Sequence, residues 1–166
     1  LSKKINEELA QLYSSLYGIR LTGLRFFTVY GEWGRPDMFI MKYIVSSIQN
    51  KTFYLNNFGN HYRDFTYIKD AVNLVLRLDK VKLKSNFEIF NVCSSNPLKI
   101  TKIIDVINKE KIKTKIIGKP IHNADVLKTY GNNSKIVKSI KNFKFTEYRI
   151  GVANTINWYL KNLNLF

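Results

Sequence analysis

The sequence predicts an α/β chain that carries at least part of a parallel sheet. Helix-like and strand-like patterns alternate along the whole length, which is the arrangement that lays helices over parallel strands. Hydrophobic residues make up 45% and aromatics 14% of the 166 residues, enough to build a core. No internal repeat, low-complexity linker or second domain boundary interrupts the pattern.

The elements follow in order. Ile5, Leu9, Leu12 and Leu16 recur every three or four residues and mark one face of a first helix, which Gly18 stops. That helix starts at the first residues with no cap, so the chain is expected to be a fragment that has lost an upstream part. Residues 19–30 (IRLTGLRFFTVY) read as one buried strand ending at Gly31, and a loop EWGRPD follows with Gly34 and Pro36 as breakers. Residues 38–49 support a helix, and 53–55 a short strand. At 56–60, Asn and Gly supply left-handed turn positions. Residues 63–68 (RDFTYI) are extended, and Asp70 is expected to cap a helix over 71–78. Residues 88–92 form a buried strand, Pro97 precedes a helix near 102–109, and 114–117 form a further strand. A helix near 135–140 and a last amphipathic helix, with Val152, Ile156 and Tyr159 on one side, complete the chain.

Composition excludes several classes. One cysteine, Cys93, allows neither an internal disulfide nor a CxxC metal knuckle, and His61 and His122 lack zinc-site spacing. No metal is therefore expected, and no membrane partner either, because no apolar run reaches the length of a membrane span. The first residues lack the apolar segment of a signal peptide, so a cytoplasmic protein is expected. The net charge of +15, from 27 Lys+Arg against 12 Asp+Glu, favours polyanionic partners. The lysines are spread evenly, however, and read first as a solvated surface. A basic nucleic-acid-binding module is the non-enzyme alternative. The few arginines sit mostly in the motifs described next, so nucleic acid is not the expected partner.

RFFTVYGEWGRPDM (25–38) resembles the extended short-chain dehydrogenase/reductase family, and within it nucleotide-sugar epimerases of the UDP-glucuronate 4-epimerase type. Further segments match in the family's order. SKKINE (2–7) resembles the stretch around the lysine of the YxxxK motif. NNFGNHYRDFTYIKD (56–70) resembles YNYGxxxRDFTYIDD, FNVCSSNPLKI (90–100) resembles FNIGNSxPVxL, and ADVLKTYGNNSKI (124–136) resembles GDVxxTYADxSKL. The resemblance covers essentially the whole chain. It implies a partial NAD(P)-binding Rossmann-like fold: the last part of the parallel sheet plus the small C-terminal substrate-binding α/β subdomain. Residues 1–166 would be the C-terminal part of one NAD-dependent epimerase/dehydratase domain. If Lys3 is the YxxxK lysine, the tyrosine falls two residues before Leu1. The Gly-rich cofactor turn is also absent from the chain, since no GxGxxG or GxxGxxG occurs.

The resemblance also implies roles. Lys3 would lower the pKa of the catalytic phenol and bond the nicotinamide ribose of NAD. Thr28, at the end of the strand 19–30, would bond the sugar, and Arg35 would offer two parallel donors to its carboxylate. Glu32 stands where the family has Pro and adds a negative charge beside that site. Arg63 would clamp the UDP diphosphate, with Asp64 orienting Arg63 or the local turn. Lys42 is either a phosphate contact or a solvated helix lysine. Asn57 and the strand 53–55 would line the uridine. Asp125 and Val126 match the GDV whose loop closes over the nucleotide, with Ala124 in place of Gly. Asn91 is expected to cap a turn, Cys93 to be a small buried hydrophobe, and Trp33, Trp158 and the other aromatics to be core.

The implied reaction is C4 epimerisation of UDP-glucuronate through transient oxidation by NAD, within polysaccharide biosynthesis. The 166 residues are expected to be inactive alone. UDP-glucose 4-epimerase or a nucleotide-sugar dehydratase is the alternative on the same fold. Homodimers, or an N-terminal half as a separate chain, are the expected protein partners. Without the upstream part, apolar faces should be exposed and the chain should associate.

Overall fold

A computed structural model describes residues 1–123 and 125–165; the Ala124 substitution in the GDV-like segment lies outside the described residues. The first helix, α1 (Ser2–Tyr17), ends at Gly18, whose φ of 64° supplies the left-handed residue that closes a helix. Its Ile5, Leu9, Leu12 and Leu16 form the expected stripe, and all four are at least half exposed.

The strand expected over 19–30 is two strands, β1 (Leu21–Phe26) and β2 (Thr28–Tyr30), separated at Phe27. The break serves two different pairings. β1 runs parallel to β5 (Phe87–Val92), while β2 runs parallel to β4 (Tyr62–Tyr67). One apolar run thus feeds two sheets, and periodicity alone does not mark the switch. Thr28 therefore opens β2 rather than ending the first strand.

Helix α2 (Phe39–Ile48) and strand β3 (Phe53–Asn56) lie within about a residue of the expected bounds. After β3 the chain turns through three consecutive left-handed residues, Asn57, Phe58 and Gly59. Helix α3 spans Ile68–Asp79 and is capped by Tyr67, so Asp70 lies inside its first turn rather than at the cap. Its carboxylate is used over a distance instead: it accepts from the backbone N–H and the hydroxyl of Thr146, both at 2.8 Å. A short strand not foreseen from the sequence, β6 (Pro97–Lys99), pairs antiparallel with β4 and runs straight into α4 (Ile100–Lys109). Strand β7 (Ile116–Lys119) pairs parallel with β3, and helices α5 (Ser134–Ile140) and α6 (Tyr148–Lys161) close the chain.

Two apolar cores result. The larger lies among α2, α4, α6, β3 and β4 and includes Ile40, Tyr43, Phe65, Ile103, Ile107, Val152, Ile156 and Tyr159. The smaller, with Leu74, Leu78, Phe90, Val92 and Ile136, joins α3, β5 and α5. Gly151 is required where α6 meets the sheet, because a side chain there would overlap the Tyr30 hydroxyl. Cys93 is fully buried, and burial raises its thiol pKa first of all, the state of a packed rather than a reactive thiol. Trp33 departs from the expectation of a core aromatic. It is 75% exposed on a left-handed backbone, its ring against Trp158 at 5.0 Å.

Candidate functional site

Strand alternation builds the main site. Successive side chains on a strand point to opposite faces, so His61, Arg63 and Phe65 share one side and Tyr62, Asp64 and Thr66 the other. All three of the first set line a cavity of about 280 Å³. Its other walls come from Thr28, from Asp37, Met38, Phe39 and Lys42 around the start of α2, from 53–56 on β3, and from Ile100 and Asp125. Asp125 reaches this cavity because its segment is stitched to β4. The Tyr62 N–H donates to the Leu127 carbonyl (2.8 Å), and the Thr129 N–H donates to the Tyr62 carbonyl (3.1 Å).

The cavity is lined by both apolar and charged side chains. Phe39, Phe53, Leu55 and Phe65 make a wall fit for a flat ring, while Arg63 and Lys42 supply cations. Arg63 is half-buried, and burial works against its charge while Asp125 works for it. Its Nη1 donates to its neighbour's carbonyl, that of Tyr62, at 2.9 Å, which leaves the rest of the fork for a ligand. Asp125 Oδ2 and His61 Nε2 are buried and find no hydrogen-bond partner among the described residues. A buried carboxylate oxygen in such a wall suits a hydroxyl donor.

The structure thus gathers Thr28, Lys42, Arg63 and Asp125 from separate parts of the chain. Three expected residues fall elsewhere. Asn57 is outside the cavity lining; its amide donates to the Asn60 carbonyl at 3.2 Å and closes the turn, while its neighbour Asn56 lines the cavity. Arg35 lines an adjoining hollow with Glu32, Trp33 and Met38, and is held in two-point contact by Asp37. Lys3 is exposed in the first turn of α1 and lines a groove with Asn6, Glu7 and residues 23–26. Phe26 belongs to the hollows of both Lys3 and Arg35, and Met38 to those of both Arg35 and Arg63. The three depressions therefore adjoin one another, starting at the carboxyl end of β1.

Charges around this row are largely met. Burial pushes the Glu32 carboxyl up, but its own backbone N–H, Lys69 and the Tyr67 hydroxyl outweigh that and hold it below the usual range. The negative charge added beside Arg35 is therefore answered locally. Glu7 accepts two bonds from Arg25 (2.7 and 2.6 Å) and ties α1 to β1 behind Lys3. Among the described residues, no group of three His, Cys, Asp or Glu could hold a metal ion, and no helix is long and apolar enough to cross a membrane.

Sequence reasoning missed the part of Asp64. Of the two roles expected of it, orienting Arg63 or the local turn, the first fails because Arg63 points to the opposite face of β4, and the segments it holds are distant in sequence. Fully buried, it accepts from Ser94 N–H (3.0 Å), Ser94 Oγ–H (2.7 Å) and Gly131 N–H (3.1 Å). Asp64 and the 93–95 and 129–131 turns thus form one knot that fixes the segment bearing Asp125. The only signal was that RDF, VCSS and TYG all lie in matched motifs. Asn91, expected near the end of a strand and capping a turn, lies in β5, and its side-chain amide donates to the Asn132 carbonyl at 3.0 Å.

Residues 1–93 match the NAD dependent epimerase/dehydratase family. An uncharacterized protein of Methanocaldococcus jannaschii is 41% identical over 164 residues, covering 97% of this chain and 49% of that protein. UDP-glucuronate 4-epimerase 4 of Arabidopsis thaliana is 35% identical over 176 residues, covering 96% of this chain and 40% of the relative. In fold, the chain is similar to a UDP-glucuronic acid 4-epimerase from Bacillus cereus in complex with UDP-glucuronic acid and NAD. The TM-score is 0.85 at 22% identity, over 93% of this chain and 50% of that one. The chain spans about half the length of the curated relatives it matches.

Proposed function

The chain belongs to the NAD dependent epimerase/dehydratase family, and from that premise we propose that it is the substrate-binding half of a UDP-glucuronate 4-epimerase. One observation carries the reading: a single cavity collects Arg63, Lys42, Thr28 and Asp125 against an aromatic wall. That combination suits a nucleoside diphosphate, with cations for the phosphates, a carboxylate for a ribose or sugar hydroxyl and flat apolar surface for the base.

In this reading Arg63 and Lys42 neutralise the diphosphate. Thr28 orients the sugar, and Arg35, released from Asp37, grips the uronate carboxylate with its planar fork. Relatives named as UDP-glucuronate 4-epimerases support the choice of sugar. The residues here fit one end of an NAD site only: Lys3 presents an exposed ammonium at the carboxyl end of β1, and the 166 residues contain no Gly-rich turn. NAD, when bound, supplies the hydride chemistry at the sugar. Lys3 would hold the ribose hydroxyls and favour the ionised form of a neighbouring phenol through its charge. The remainder of the cofactor site and the phenol come from outside these residues, so they turn over no sugar alone. We place the reaction in the cytoplasm, in the supply of uronates for polysaccharide, with a separate N-terminal half completing the site and a homodimer as the assembly of the completed enzyme.

Titrating uridine diphosphate into the chain tests the binding site. Saturable binding is expected, weakened about tenfold or more in Arg63→Ala, the loss of one charge-assisted contact. No binding by the parent, or equal binding by the variant, refutes the assignment. For the sugar, Arg35→Ala should weaken UDP-glucuronate and leave UDP-glucose unchanged; equal losses would favour the glucose-type epimerase or the dehydratase. Conversion of UDP-glucuronate by these 166 residues with added NAD would overturn the half-site reading.

A further inference from the structure

His61 has no role in the reading above, yet the structure treats it unusually. It is 6% exposed, it lines the Arg63 cavity, and its Nε2 is buried with no hydrogen-bond partner among the described residues. An imidazole nitrogen left in that state costs free energy comparable to a lost hydrogen bond. The backbone of His61 is fixed, because its carbonyl accepts from the Ile100 N–H at 2.9 Å where β6 runs into α4. The ring therefore stays on the cavity side of the strand. His61 and Arg63 are two residues apart on one face, so their side chains are neighbours about 7 Å apart along the strand. A diphosphate gripped by Arg63 is of a size to reach both.

We propose that His61 is a second donor to the anion that Arg63 binds, its Nε2–H hydrogen-bonding a phosphate oxygen of the nucleoside diphosphate. The assignment rests on the nucleotide-sugar reading and adds a residue to it. The other buried atom without a partner in this wall, Asp125 Oδ2, is a carboxylate oxygen and repels a phosphate. It leaves the anion to His61 and takes a hydroxyl instead. The two groups divide the ligand: the histidine faces the phosphates and the aspartate a sugar hydroxyl.

The experiment is calorimetric titration of the full chain with uridine diphosphate and, separately, with uridine. Three proteins are compared: the parent, His61→Leu, which keeps bulk and loses the donor, and His61→Gln, which restores an N–H at similar reach. The Leu variant is expected to bind uridine diphosphate about tenfold or more weaker, with uridine unchanged and the Gln variant within about threefold of the parent. Undiminished binding of uridine diphosphate by a folded Leu variant overturns the proposal and leaves the Arg63 site standing. Equal weakening for uridine moves the contact to the base or ribose and also overturns it. Failure of the parent to bind uridine diphosphate at all overturns the nucleotide-sugar reading itself. Nitrogen NMR of the parent's imidazoles gives a test independent of any variant. Uridine diphosphate should shift the His61 Nε2 resonance and uridine should not; an unmoved resonance refutes the contact.

Discussion

Removing the Asp64 carboxylate should loosen the segment that carries Asp125. Asp64 is fully buried, and its three acceptor bonds join β4 to the 93–95 and 129–131 turns. In Asp64→Ala the Ser94 N–H keeps a second acceptor, Thr66 Oγ1 at 3.1 Å, so that donor is still satisfied. The Ser94 hydroxyl and the Gly131 N–H lose their charged partner. Hydrogen bonds to charged groups contribute about 1.5–3 kcal/mol each, which gives a loss of roughly 3–6 kcal/mol for the two. For a chain of this size each kcal/mol lowers Tm by roughly 2–4 °C, so a drop of about 6–24 °C is expected. Asp64→Asn keeps one acceptor oxygen but turns an N–H toward a donor, and should lose about half as much. Differential scanning calorimetry measures the shift, and hydrogen exchange at the Gly131 amide shows whether the loss is local. A Tm within about 2 °C of the parent in Asp64→Ala would refute the argument that this carboxylate pins the segment.

Two other outcomes follow from the same structure. Burial and the charge of Arg63 hold the His61 pKa below its ordinary value of 6.5. The unfolded chain therefore takes up that proton first, and stability contributed by neutral His61 falls as pH drops through about 6.5. Urea unfolding from pH 7.5 to 5.5 should show the decline, and His61→Leu should flatten it; an identical slope in the variant would remove His61 as its source. The exposed stripe of Ile5, Leu9, Leu12 and Leu16 on α1 should make the 166 residues self-associate. Sedimentation should record a lower mass for Leu9→Glu with Leu16→Lys, whereas a parent that sediments as a monodisperse monomer contradicts the expectation.

The parts legible in the sequence were those encoded over a few neighbouring residues. Period and punctuation placed α1 with its Gly18 stop, and α2, β3 and β4 to within about two residues, because the forces that set them act along the local chain. The motif resemblance supplied the family and identified Thr28, Lys42, Arg63 and Asp125, which the fold then draws into one cavity. Pairing over long distances was not legible. The break at Phe27 exists because β1 and β2 answer to different partner strands. Asp70 left its expected capping place to bind Thr146, and Asp64 turned from Arg63 to Ser94 and Gly131. His61 read as an isolated histidine until the alternation of β4 placed it beside Arg63. A buried polar group takes its partner from whatever the fold brings within about 3 Å, regardless of distance along the chain. Local sequence thus determined the elements and the family, while the tertiary structure alone decided which polar groups meet, which remain unpaired, and where a ligand can satisfy them.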